Sequence, residues 1–434
     1  MRSIYILLVA ALFITACDND LEQFPPNIAS SNSLTDFSGV LNATYFYQHG
    51  SATPMAVIGD FRADNAFMFE APYTDFDEFN ANLTSMEDQF FGPFYTALYR
   101  SILSANNVIE NSESAREVGE AKFLRALSYF KLVRVFGDVT INLSAQPSTT
   151  DQSILARRPA SEVYNTVIIP DLNDAISALN NSELSDGRAT QIAAQALLGK
   201  VYVQLGDFGK AESPLAAVVS GAAGAGISLQ ENFADIFGVD NDLNSEIIFA
   251  TQISSSVSDE YGFSEFWSWS GGLDTKSLEP LDTDLIAAFD ASPGDLRRAV
   301  TIDEDVMASP KFPQTGGPDH DWIELRLGDI ILLYAEALNE NGNTSAALTE
   351  LNKIRSRAGL EDSMASGQGD VRAAIQDERR LELAFEGQRW FDLVRTNTVD
   401  AEMGETVNSN YHLFPIPVSE VLSSFGVITQ NEGY

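Results

Sequence analysis

Cysteine is almost absent: Cys17 is the only one in 434 residues. An internal disulfide and a cysteine-built metal cluster are therefore excluded. Histidine is nearly as scarce. His49, His320 and His412 stand far apart, in none of the spacings that bind a metal from one helix face, such as H-E-x-x-H. No G-x-S-x-G elbow occurs, and no thiol nucleophile follows Cys17. Gly221, Gly224 and Gly226 do not have the dinucleotide spacing and read as a turn after a helix. No cofactor and no metal is expected. Basic residues are few, 26 against 62 acids, for a net charge of −36. Such a surface repels phosphate, so nucleic acid is not an expected partner. Long apolar runs are missing too. Ile4 to Ile14 is too short to span a bilayer comfortably, and no later stretch reaches eighteen apolar residues.

What is present begins at that short run. Arg2, then Ile4 to Ile14, then Ile14-Thr15-Ala16-Cys17 has the order of a lipoprotein signal peptide. Residues 1–16 are expected to be removed and Cys17 to carry the lipid anchor, since small residues before a cysteine suit the lipoprotein signal peptidase. Acyl chains contribute roughly 0.8 kcal/mol per buried CH₂, so several chains hold a protein at a membrane. The remaining chain has 44% hydrophobic and 20% charged residues over the whole sequence, a composition that packs.

Several segments carry a helical stripe. Phe123, Leu127, Phe130 and Val133 form one; Ala194, Leu198, Val201 and Leu205 a second; Leu327, Ile331, Tyr334 and Leu338 a third; Ala347, Leu351, Ile354 and Ala358 a fourth. Between helices, Leu205-Gly206-Asp207 offers a left-handed stop and an N-cap, and Asn341-Gly342-Asn343-Thr344 repeats the arrangement with Asn343 or Thr344 as cap. Both junctions look like tetratricopeptide hairpins, scattered rather than in tandem. The mature chain therefore divides into an N-terminal helical part (17–220), a loop-rich, ligand-facing insertion (221–320) and a C-terminal helical part (321–434) of one domain. In the insertion, 246–252 reads as a short strand with Ile247, Ile248 and Phe249 at its centre. Asp240, Asp242 and Asn244 copy the start of a calcium loop, but Ser245 and Thr251 stand where such a loop needs Gly and Glu; a turn is expected. Glu378 to Trp390 is dense in charge and reads as helical ion pairing with Trp390 packed beneath.

Four blocks together resemble the SusD/RagB family of outer-membrane lipoproteins. They are Glu120 to Phe130 running into Val135-Phe136-Gly137-Asp138-Val139; Leu332 to Asn339 followed by Leu351-Asn352-Lys353-Ile354-Arg355; Glu378 to Leu393; and Leu413-Phe414-Pro415-Ile416-Pro417 closing with Thr429-Gln430-Asn431. The resemblance implies a mostly α, SusD-like fold with tetratricopeptide-like helix pairs, inserted loops and a few short strands. It implies a non-catalytic protein at the outer face of the outer membrane. Such a protein captures oligosaccharides, or peptides in the RagB branch, and passes them to a SusC-like TonB-dependent barrel. Asp18, Asp20 and Glu22 after the cysteine are similar to the signal that sends such lipoproteins outward in the Bacteroidetes. A surface glycosidase stays open as a third class, because 62 acids offer many pairs and the pairing is spatial.

Two aromatic-rich segments suit glycan capture. One runs from Asp60 to Asn80 and the other from Tyr261 to Gly272. The C–H face of a sugar ring stacks on a flat, electron-rich aromatic face, while neighbouring polar groups hold its hydroxyls. Trp267 and Trp269 are the expected platforms, with Tyr261, Phe266 and Tyr73 beside them and Asp64 and Asn65 as polar candidates. On a strand, Trp267 and Trp269 would face the same way. The competing reading places these rings in the core or against the barrel.

Overall fold

The computed structural model describes residues 36–68, 70–148, 150–182, 184–253, 262–268, 280–313 and 320–434. Labels α1 to α12 are given below to the longer helices. After α1 (Ser38–Phe46) and α2 (Ala52–Asp60) come α3 (Gly92–Asn111) and α4 (Ala115–Phe136). Ser114 caps α4 by accepting from the Glu117 backbone N–H at 3.3 Å, the first half of an S-x-x-E capping box. Gly137 ends the helix at φ +72°, a conformation that costs other residues more. The expected stripe Phe123, Leu127, Phe130, Val133 is buried along α4.

The chain then folds as successive packed helices: α5 (Ile169–Ala178), α6 (Gln191–Gln204) and α7 (Phe208–Gly221), each against its predecessor. Asp207 caps α7, accepting from the Lys210 backbone N–H at 3.2 Å, as its sequence context predicts. Gly199 lets α6 and α7 approach: a Cβ there would fall 2.4 Å from Leu215 Cδ2. The second hairpin, α9 (Leu327–Glu340) and α10 (Thr344–Arg357), packs its α9 directly on α7. Two hairpins separated in sequence are thus neighbours in space. The second junction differs from expectation in its cap. Asn343 makes no side-chain cap bond, and Thr344 Oγ1 donates to Asn339 Oδ1 at 3.2 Å instead. The C-terminal part closes with α11 (Gly367–Leu383) against α9 and α10, and α12 (Arg389–Thr396) against α2.

Strands are few among the described residues. β1 (Val139–Thr140) pairs antiparallel with β2 (Arg157–Arg158), and β3 (Ile247–Thr251) pairs antiparallel with β4 (Trp322–Arg326). β3 lies where the apolar run Ile247-Ile248-Phe249 predicts a strand. The stretch 221–320 is not all loop. α8 (Thr283–Asp290), capped by Asp282, was hidden because its buried stripe is only Leu285 and Phe289. Around Asp240 to Asn244 the chain makes the expected turn. Asn244 spends its amide on the Ile236 and Asn241 carbonyls at 3.0 and 2.9 Å. Among the described residues no helix is long and apolar enough to cross a membrane, and no cluster of three or more His, Cys, Asp or Glu is placed to hold a metal.

Basic side chains are drawn mostly into the fold: among the described ones only Arg100, Arg116, Arg158, Lys210 and Lys353 are exposed. Arg125 grips Asp171 through two bonds of 2.7 and 2.8 Å, joining α4 to α5. Lys200 and Arg379 both reach Asp329, at 2.7 and 2.8 Å, joining α6 and α11 to α9. Between β3, β4, α10, α11 and the 295–311 segment lies a buried network. In it Glu246, Asp295, Glu378, Glu382 and Glu386 face Arg297, Lys311, Arg326, Arg355 and Arg357. The charged run Glu378 to Trp390 therefore pairs across elements rather than along its own helix, and Trp390 is fully buried as expected. The network balances within itself, five carboxylates against five cations, so the chain's excess of acids lies outside it.

Candidate functional site

α2 ends at Asp60, whose carboxylate accepts from the backbone N–H of Gly387 at 2.6 Å and of Phe385 at 3.3 Å. Burial pushes this carboxyl up to about 7. The chains cross closely here: a Cβ on Gly59 would sit 2.2 Å from the carbonyl carbon of Gly387. The segment that follows is held by two arginines from the C-terminal part. Arg389 binds both oxygens of Asp64 at 2.7 Å, and Arg380 donates to Asn65 Oδ1 at 2.9 Å and to the Asp64 carbonyl at 2.6 Å. Asp64 and Asn65 are thus buried anchors and not sugar ligands. Their partners lie more than three hundred residues away in sequence, which is why the short polar run looked available. Beside them the Arg62 guanidinium lies over the rings of Phe79 and Phe414 at 5.0 and 4.9 Å, and donates to Tyr434 Oη at 3.0 Å.

The structure brings three of the expected rings together. Tyr73 and Phe266 meet edge-on at 5.9 Å, Phe266 also meets Phe90 at 5.8 Å, and Trp267 follows Phe266 in the chain. They meet as core, not as a platform. Trp267 is 0% exposed, its ring tilted against Phe61 at 4.6 Å and against Phe385 at 4.7 Å. Phe266 and Tyr73 are buried as well, and Tyr73 Oη accepts from Gln89 Nε2 at 2.9 Å. The segment Ser264–Ser268 is helical, not extended. Trp269, Tyr261 and Cys17 lie outside the described residues.

Backbone bonds fix the first aromatic segment where it reaches the surface. Ala66 forms an antiparallel bridge with Leu281, Phe67 N–H donates to the Pro280 carbonyl at 3.0 Å, and Asp282 N–H donates to the Asn65 carbonyl at 3.3 Å. These bonds tie the first aromatic-rich segment to residues 280–282, beyond the second, while ring contacts of Phe61 and Tyr73 with Phe266 and Trp267 join the two aromatic segments in the core. Phe67, next to the bridge, keeps 47% of its surface open. Sequence reading placed Phe67 in the aromatic segment without singling it out; nothing in its neighbours marks it as the ring that faces water. A large exposed ring fixed by backbone bonds is a ready stacking surface, because little ordering remains for a ligand to impose.

The architecture is that of a helical scaffold stacked from hairpins, carrying inserted loops. Matches to known proteins agree with it. Residues 17–203 match a family model described as starch-binding, associating with outer membrane, and residues 301–434 match the SusD family. Along nearly its whole length the chain is similar to SusD-like protein P2 of Formosa agariphila, 25% identical over 98% of each chain. It is 24% identical to the starch-binding protein SusD of Bacteroides thetaiotaomicron over 77% of this chain and 76% of that one. Among solved structures, surface glycan-binding protein A from Bacteroides fluxus superposes with a TM-score of 0.78 at 20% identity, covering 94% of this chain and all of that one. The chain belongs to the SusD/RagB family.

Proposed function

We propose that this protein is a non-catalytic surface lipoprotein that captures oligosaccharides at its aromatic-rich segments, beside the bridge between Ala66 and Leu281, and delivers them to a SusC-like TonB-dependent barrel. In this reading Cys17 carries the lipid that holds the chain on the outer face of the outer membrane. The observation that carries it is the bridge between Ala66 and Leu281, beside which the first aromatic segment holds an exposed ring, Phe67. Tyr261 and Trp269, which flank the Gly262–Ser268 stretch in sequence, are proposed as further stacking rings. A relative named as a starch-binding protein, matched over 77% of this chain, and a structural neighbour named as a surface glycan-binding protein support the reading. So does the buried state of the carboxylates near the loops. Asp64 is paired with arginine and Asp60 is tied to backbone amides, so neither is free to act as a glycosidase acid or base.

Affinity electrophoresis through gels containing soluble polysaccharides tests this. A bound glycan retards the wild type, and Phe67→Ala restores much of the mobility. A wild type that no polysaccharide retards, but that oligopeptides bind, turns the reading to peptide capture. Release of reducing ends with time turns it to hydrolysis.

A further inference from the structure

On another face of the molecule, α3 sets Tyr95, Thr96, Tyr99, Arg100 and Leu103 along one side, at the i, i+4, i+8 spacing of a continuous helical surface. That side forms a wall of an open groove of about 720 Å³, whose other wall is the segment after β1, with Asn142, Leu143 and Gln146. The volume falls within the range of small-molecule sites, roughly 300–1,000 Å³. Leu103 and Leu143 stay 41% and 46% exposed, so the groove is not filled by its own side chains. Tyr99 is fixed at its tip, where Oη donates to the Thr140 carbonyl at 2.9 Å, and its ring stacks on Tyr95 at 4.5 Å.

Arg100 is what makes this groove specific. It is exposed and engages no hydrogen-bond or ion-pair partner. The other exposed bases among the described residues, Arg116, Arg158, Lys210 and Lys353, each hold a carboxylate. In a chain with 62 acids and 26 bases, an unengaged arginine beside an apolar groove is a charge left open for something else. A guanidinium presents two parallel N–H donors that match an oxyanion. Glu420, also in the lining, is half-buried and held above the usual carboxylate range by its burial and by Glu87; it makes no ion pair with Arg100.

We infer that this groove is a second ligand site, separate from the aromatic loops, for an acidic saccharide. Arg100 takes the carboxylate on the sugar ring. Tyr99, Leu103 and Leu143 take the ring's C–H face, and Asn142, Gln146 and Glu420 take its hydroxyls. The inference rests on the reading of the chain as a glycan binder. A ligand anchored at both sites would gain through the effective concentration of the second contact, provided it can span them.

The test is calorimetric titration of the detergent-solubilised full chain with trigalacturonate, alongside a neutral glycan that the polysaccharide gels show to bind. Trigalacturonate binds the wild type. Arg100→Gln weakens it at least tenfold, Arg100→Lys restores part of the loss, and neither substitution changes the neutral glycan. Neutral binding without trigalacturonate binding, or trigalacturonate binding that Arg100→Gln leaves unchanged, overturns the inference and leaves the proposed function standing. Equal affinity for a non-sugar acid such as phenylpropionate also overturns it, because the groove would then be a site for apolar acids in general. Failure of every saccharide to bind removes both readings.

Discussion

Replacing Glu382 with Leu exposes how the fold stores its charge. Glu382 is fully buried on α11 and accepts from Arg326 Nη1 at 2.6 Å, from Arg297 Nη1 at 3.0 Å and from Arg357. The network then keeps four of its carboxylates, Glu246, Asp295, Glu378 and Glu386, against five cations. Leucine leaves one buried cation uncompensated and three guanidiniums short of an acceptor. Removing one partner of a buried pair costs about 3–5 kcal/mol. That is a large share of the 5–15 kcal/mol that typically separates folded from unfolded protein. Urea denaturation followed by circular dichroism should show the midpoint falling with an unchanged slope. The loss should be nearly the same in low and high salt, since buried pairs are poorly screened. The wild-type contribution also has a defined pH window. The surrounding arginines outweigh burial and hold the Glu382 carboxyl well below its usual range. Its stabilisation is therefore fully present above the unfolded value, about 4.3, and is lost only as the pH falls through the lower folded value. A loss under about 1 kcal/mol in the variant, or one that high salt abolishes, would refute the picture of a dry, charge-balanced core.

Trp267→Ala should lower stability by about 3–5 kcal/mol, as expected for emptying a buried indole site between Phe61 and Phe385; reduced glycan affinity at unchanged stability would instead return it to the binding surface. Asp60 titrates in the opposite sense to Glu382. Its folded value of about 7 lies above the unfolded value near 3.9, so the folded state keeps the proton longer. Stability should decline as the pH rises through that window, by at most about 4 kcal/mol, and Asp60→Asn should flatten the decline; parallel pH profiles for wild type and variant would count against it. Cys17→Ala should leave the melting curve unchanged and move the protein out of the membrane fraction; continued detergent-dependent retention would contradict the anchor.

The helices and strand with regular patterns were legible because local spacing alone determines them. The α4 stripe, the Asp207 cap and the apolar run of β3 each carry their cause within a few neighbouring residues. The site was less legible because its causes are distant in sequence. Trp267 sits in a serine- and glycine-rich stretch that looks exposed, yet it is fully buried against Phe61 and Phe385, from either side of it in the chain. Asp64 and Asn65 read as free polar groups until Arg380 and Arg389 are brought beside them. Phe67 shows the converse. Its spacing does not differ from that of its buried neighbours, yet beside the bridge from Ala66 to Leu281 it stays 47% exposed. β1 and β2 are two residues each, too short to leave an alternation, and so were missed.

The central claim is that Phe67, an exposed ring beside the bridge between Ala66 and Leu281, takes up sugar. Surface plasmon resonance with the lipid-tethered wild type and Phe67→Ala, over a panel of neutral oligosaccharides, addresses it most directly. The account predicts saturable binding of at least one oligosaccharide and a loss of roughly 1 kcal/mol or more in the variant, in line with aromatic contact energies. Indistinguishable isotherms for the two proteins, with equal melting temperatures, would contradict it.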